Sequence, residues 1–216
     1  YTEASKDRLR DRPPVRWQFS GLGVTRAIET FSALPAVKAE LEGIVRGGIL
    51  PGEVFLDEQF SNAQFRDTLD KRASVLHIAS HFVFSPGAES NSFLLLGDGT
   101  RLSLADLKAY RFRDVDLITL SACETAIGGG RDQNGREIEG FGALAQRQGA
   151  NGVLATLWPV ADSSTGLFMQ KFYGVRQTTT GMTKAEALRQ AQIGFIRGAD
   201  GAKEYTHPFY WAPFIL

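Results

Sequence analysis

The 216 residues balance their charge, 24 lysines and arginines against 24 aspartates and glutamates, with 43% hydrophobic and 22% charged residues. Zero net charge gives no electrostatic footprint for nucleic acid or an anionic membrane, and no apolar run reaches the roughly 18 residues of a membrane span. With one cysteine and three histidines, an internal disulfide is excluded, a structural zinc site is not expected, and no metal or cofactor is implied.

Residues 1–15 are polar and basic and run through Pro13-Pro14, so a flexible leader is expected there, followed by one domain over 16–216. Trp17–Val24 reads as extended and is broken by Gly21 and Gly23. Leu34-Pro35 opens a helical pattern with Val37, Leu41, Ile44 and Val45 on one face, stopped by Gly47-Gly48. Glu53–Leu56 is a short strand, and a helix from about Ser61 turns Phe65 and Leu69 inward. Val75–Ser80 is a continuous apolar run, the mark of a strand buried on both faces, and it ends on His81. Phe93–Leu96 and Arg101–Leu104 flank Gly97-Asp98-Gly99-Thr100, a hairpin signal, and Ala105–Tyr110 continues as a short helix.

Asp116–Ser121 is the second core strand and leads into Ala122-Cys123-Glu124. Residues 127–136 have the composition of a mobile loop. Glu137–Gln148 is a helix stopped by Gly149–Gly152, and Val153–Leu157 is the third core strand, ending on Trp158-Pro159. Ser163–Val175 and Thr183–Ile196 are amphipathic helices, each opened by a hydroxyl cap candidate. Tyr210–Leu216 is read as a last strand. It stops mid-pattern, so the chain is expected to be an excised part of a longer protein.

Apolar runs of about five residues alternating with helices of about 12 indicate an α/β fold, a mostly parallel sheet covered by helices on both faces. Sites in such sheets form beyond the carboxyl ends of the strands. His81, Cys123 and the Trp158–Asp162 segment all fall there. A thiol beside an imidazole is the minimum for cysteine nucleophile chemistry, the imidazole drawing off the proton so that the thiolate attacks a carbonyl. The two are 123 − 81 = 42 residues apart, room for one hairpin and one crossover between adjacent parallel strands. His77, inside its strand, reads as a hydrogen-bonded core histidine, and His207, before Pro208, as structural. Asp162 has two readings: a cap or first-turn acid of the helix that follows, or a pocket carboxylate that selects a basic side chain. Glu124 could line the same pocket or face solvent, and Trp158 reads as core or pocket wall. No G-x-S-x-G, P-loop or G-x-G-x-x-G motif is present.

Five separated runs, HIASH, DLITLSACETAIGG, GFGALAQRQGANGVLATLWPVADSSTGLFMQKFY, EALRQAQ and HPFYWAPFIL, occur in order. Over roughly residues 17–216 they resemble the CHAT domain, a caspase-like (caspase-haemoglobinase, clan CD) cysteine peptidase family of bacteria and some eukaryotes, related to separase. The resemblance implies a cysteine endopeptidase on a caspase-like fold, needing no cofactor and working in the cytoplasm. It implies an upstream tetratricopeptide-repeat or sensor region, and a protein or peptide substrate cut after basic residues. By position, the family's catalytic histidine falls on His81 and its nucleophile on Cys123. The usual glycine after the histidine is here Phe82. The N–H groups of Phe82 and Cys123 are the implied oxyanion hole, and a positive φ at Phe82 would be strained. Asp162, Glu124 and Trp158 are the implied substrate-binding residues. The alternative is a catalytically silent caspase-like interaction module; another thiol enzyme, such as an acyltransferase, is a further rival.

Overall fold

The computed structural model describes residues 16–83, 90–121, 136–158, 160 and 162–216, the side chains of 136–140 and 162 excepted. Its main sheet has six strands: β1 (Phe19–Gly23), β2 (Gly52–Leu56), β3 (Val75–Ala79), β7 (Leu117–Leu120), β8 (Val153–Thr156) and β9 (Phe214–Ile215). They lie in the order β2-β1-β3-β7-β8-β9, and all pairings are parallel except that of β9. A second, antiparallel sheet follows β3 and consists of β4 (Phe82–Val83), β5 (Phe93–Leu95) and β6 (Arg101–Ser103).

Alternation along the strands sorts the side chains into two cores. Leu76 and Ile78 of β3 and Ile118 of β7 face Phe65 of α2 (Asn62–Asp70), Leu107 of α3 (Leu104–Leu107) and Phe141 of α4 (Arg136–Arg147). Val75, Ala79 and Leu117 face the other way. They meet Leu41 of α1 (Val37–Arg46), Phe172 of α5 (Asp162–Thr178) and Phe195 of α6 (Lys184–Ile196). Helices therefore cover both faces, as the unbroken apolar strands require. Each fully buried phenylalanine of these layers contributes about 1.5–3 kcal/mol of transfer free energy.

Three of the helices start at hydroxyl caps. Ser61 accepts the Gln64 N–H, Ser103 that of Asp106 and Thr183 that of Glu186. Gly21 and Gly23 do not break β1; they let α1 approach it. A Cβ on Gly23 would lie 2.5 Å from Val37 Cγ1 and 2.8 Å from Leu41 Cδ1. The Gly97–Thr100 turn closes the β5–β6 hairpin with Gly99 at φ +87°.

The C-terminal segment corrects the expectation of a strand over Tyr210–Leu216. Only Phe214–Ile215 pairs, antiparallel to β8, and Pro208–Tyr210 is a 3₁₀ turn. The backbone donors there are spent locally: Tyr210 N–H on His207 O and Ala212 N–H on Pro208 O, while Pro213 has none to give. His207 is structural, as read, its Nδ1 accepting the Phe209 N–H at 3.2 Å.

Candidate functional site

His81 follows the carboxyl end of β3. It is 1% exposed, so the strand edge it occupies is a covered one rather than open to solvent. Phe31, from the connection between β1 and α1, lies over its ring at 5.2 Å between centroids, and Phe93 of β5 packs edge-on against Phe31. His81 Nε2 lies 2.9 Å from the Ser32 carbonyl. A carbonyl oxygen can only accept, so Nε2 carries the hydrogen, and the basic lone pair of the neutral ring is then on Nδ1. The aromatic neighbour and the fixed acceptor hold the ring in one orientation.

Phe82 opens β4 and pairs with Leu94. Its φ is not positive, so the strain foreseen for a residue larger than glycine does not arise. The adjacent His81 carbonyl accepts the Leu95 N–H at 2.9 Å. In an antiparallel ladder hydrogen-bonded and open pairs alternate, which turns the Phe82 N–H away from β5. The side chain is anchored by edge-on packing on Phe141 of α4, 5.8 Å between centroids.

Trp158 lies two residues beyond β8 at the same edge. It is half-buried, and its Nε1–H donates to the Phe209 carbonyl at 3.1 Å, tying the end of β8 to the 208–210 turn. Asp162 is the first residue of α5, which places its backbone at the positive end of that helix. Its side chain lies outside the described residues, as do Cys123, Glu124 and the predicted loop up to residue 135. The structure thus places His81, Phe82, Trp158 and the start of α5 along one edge of the sheet.

His77, four residues before His81, is the core histidine expected of it, 0% exposed. Tyr173 Oη lies 3.1 Å from its Nδ1 and 2.7 Å from Thr119 Oγ1. Glu40 Oε1 lies 2.9 Å from its Nε2, off the line of a straight hydrogen bond. Burial pushes the Tyr173 hydroxyl well above the ordinary phenol range. Thr119 pulls it down and Glu40 adds to the rise, so Tyr173 stays a neutral link. A second buried cluster stands at the amino end of β7. There Asp116 accepts from Trp17 Nε1 at 2.8 Å, Lys184 Nζ at 2.9 Å and Asn151 Nδ2 at 3.2 Å. Both clusters, and the Ser32 carbonyl, escaped the sequence reading. Only Glu40 left a trace, since three residues after Val37 and four before Ile44 it falls on the apolar stripe of α1.

Among the described residues no helix is long and apolar enough to cross a membrane. No group of three or more His, Cys, Asp and Glu side chains among them gathers as metal ligands would.

The sequence profile of the CHAT domain matches residues 6–216. Tetratricopeptide repeat protein 28 of Mus musculus is 31% identical over 119 residues, a stretch that takes up 53% of this chain and 4% of the mouse protein. The chain thus spans a small part of the curated relative it matches. The profile runs through His81 and both sheets, and the fold beneath it is a mostly parallel six-stranded sheet layered with helices. On these grounds the chain belongs to the CHAT domain family, a caspase-like peptidase family, and carries its fold.

Proposed function

We propose that this domain is a cysteine endopeptidase acting on protein substrates, with Cys123 as nucleophile and His81 as general base. The observation that carries the reading is the register of β3 on β7. Val75 pairs with Leu117 and Ile78 with Leu120, an offset of 117 − 75 = 42, and 42 is also the separation of His81 from Cys123. Adjacent parallel strands in this register deliver residues of equal offset side by side at the carboxyl edge. Between them run the β4–β5–β6 sheet and α3, the hairpin and crossover that the spacing allows.

In the proposed reaction His81 Nδ1 takes the thiol proton and the Cys123 thiolate attacks the scissile carbonyl. The N–H groups of Phe82 and Cys123 receive the oxyanion. Collapse of the tetrahedral intermediate breaks the C–N bond, and His81 returns its proton to the leaving amine. Water, deprotonated by the same imidazole, then cleaves the thioester and restores the thiol. Asp162 at the head of α5, with Glu124 and Trp158, forms the pocket for the residue before the cut, and a carboxylate there favours arginine over lysine by bidentate pairing. A free nucleophilic thiol suits the reducing cytoplasm, which is the compartment we assign. The mouse relative's name supports a tetratricopeptide-repeat region joined to this domain in the whole protein, where activation would be governed.

A peptidyl acyloxymethyl ketone tests the reading. A probe carrying arginine next to the warhead should label Cys123 faster than one carrying leucine, and His81→Ala should suppress labelling. Labelling at the same rate in His81→Ala would remove His81 as the base, and no labelling of the folded wild-type chain would point to the silent interaction module instead.

A further inference from the structure

A cleft of about 300 Å³ opens on the face covered by α2, α3 and α4, between the second half of α2 and the segment after α3. Its walls are Arg66, Leu69, Asp70, Ala109, Tyr110 and Arg111. It stands at the end of the sheet opposite His81. Asp70 closes α2 five residues before β3 begins, and Arg111 comes six residues before β7. Neither the catalytic reading nor the polar clusters use it.

Both arginines are exposed, yet both are held. Arg66 Nε donates to Asn62 Oδ1 at 3.2 Å and to Tyr110 Oη at 3.1 Å. Tyr110 Oη donates in turn to Asn62 Oδ1 at 2.5 Å. The guanidinium carbon sits 5.1 Å from the centre of the Tyr110 ring, a cation–π position. The inner nitrogen of the guanidinium is thus engaged, and Nη1 and Nη2, the edge that grips a carboxylate in two parallel hydrogen bonds, bond to no described residue. Arg111 is steadied through Nη1 by Gln148 Oε1 at 2.9 Å and the Tyr110 carbonyl at 3.5 Å. Fixing a guanidinium beforehand removes most of the rotamer entropy an exposed arginine loses on binding.

The remaining walls select the ligand. Leu69 and Ala109 offer a small apolar floor. Asp70 forms no close ion pair among the described residues, but it lines the same cleft and its charge acts on Arg66. It penalises a ligand that is anionic at every position, such as a nucleic acid backbone, and welcomes an N–H donor next to the carboxylate. Alternating carboxylates, apolar side chains and backbone N–H groups are the chemistry of an acidic polypeptide. We propose that this cleft docks an acidic segment of a protein partner, with Arg66 and Arg111 clasping one side-chain carboxylate. Docking here needs no bond cleavage and is independent of the Cys123 chemistry.

Fluorescence anisotropy tests this with a fluorescein-labelled peptide alternating glutamate and leucine, on the Cys123→Ala chain so that no probe is cut. Saturable binding is expected, with the glutamine-for-glutamate peptide about tenfold weaker. Arg66→Ala and Arg111→Ala should each weaken the glutamate peptide about tenfold. Tyr110→Phe, which keeps the ring and removes one of the two acceptors of Arg66 Nε, should weaken it by a smaller factor. Thermal melts check each fold, and Arg66→Lys, which keeps the charge and loses the fork, serves if the alanine variant does not fold. The proposal is overturned if the two peptides bind alike or if the arginine variants bind as tightly as the parent. It also fails if inorganic phosphate binds the cleft and the peptide does not.

Discussion

Lys184→Met should cost this domain about 3 kcal/mol, because it leaves Asp116 as a buried charge without a counter-charge. The two side chains are 8% and 7% exposed, with Nζ 2.9 Å from Oδ1. Removing one partner of such a pair costs about 3–5 kcal/mol, mostly the desolvation of the survivor. Trp17 and Asn151 still donate to the carboxylate at about 1 kcal/mol each, which sets the expectation at the lower end of that range. For a chain of this size the loss corresponds to a fall in Tm of roughly 6–12 °C. The pH dependence adds a second readout. Burial pushes the Asp116 carboxyl up, but the Trp17 hydrogen bond, the Lys184 charge and its hydrogen bond, and Asn151 together bring it below the ordinary aspartate range. A carboxyl depressed in the folded state contributes stability above its unfolded pKa and loses it as pH falls through the folded value. The gap between wild type and Lys184→Met should therefore be full at neutral pH and narrow in strong acid, where Asp116 is neutral. Urea unfolding followed by tryptophan fluorescence across that range measures it. A neutral-pH gap under about 1 kcal/mol, or one that widens on acidification, would refute the reasoning.

Tyr173→Phe removes the hydroxyl between His77 and Thr119 and should destabilise the fold by about 1–3 kcal/mol in urea unfolding, the cost of buried polar atoms left without a partner. Gly23→Ala drives a methyl into Val37 and Leu41 of α1, and calorimetry should show a loss of about 1–3 kcal/mol. Phe82→Pro removes an N–H that the β4–β5 ladder does not use. The chain should therefore fold while kcat on a peptide substrate falls about 10²–10³-fold if that N–H serves the oxyanion.

The strands and most helices were legible because their determinants are local. Val75–Ser80, Asp116–Ser121 and Val153–Leu157 are mostly apolar runs, and Ser61 and Thr183 announce their helices as caps that accept the N–H three residues on. Pairing between strands could be inferred once the elements were in place, since a parallel sheet leaves few ways to connect them. The polar clusters were not legible, because their partners lie far apart in the chain: Trp17 and Asp116 by 99 residues, His77 and Tyr173 by 96, Asp116 and Lys184 by 68. Periodicity carries no information about which buried lysine will meet which buried aspartate. The C-terminal segment misled for a different reason. Tyr210 and Trp211 have strand-forming side chains, yet Pro208 sets a turn and the N–H donors of residues 209–212 are spent within the segment. Of the candidate site, the placement of His81 at a strand end was readable, but the Ser32 carbonyl that sets its tautomer comes from a connection 49 residues earlier.

Mapping new peptide N-termini in a proteome incubated with the domain tests whether His81 and Cys123 make it a peptidase. Ends that follow arginine, and less often lysine, are expected from the wild-type chain and should be absent with Cys123→Ala or His81→Ala. The same ends appearing with folded Cys123→Ala, or no new ends with the folded wild type, would contradict the peptidase reading.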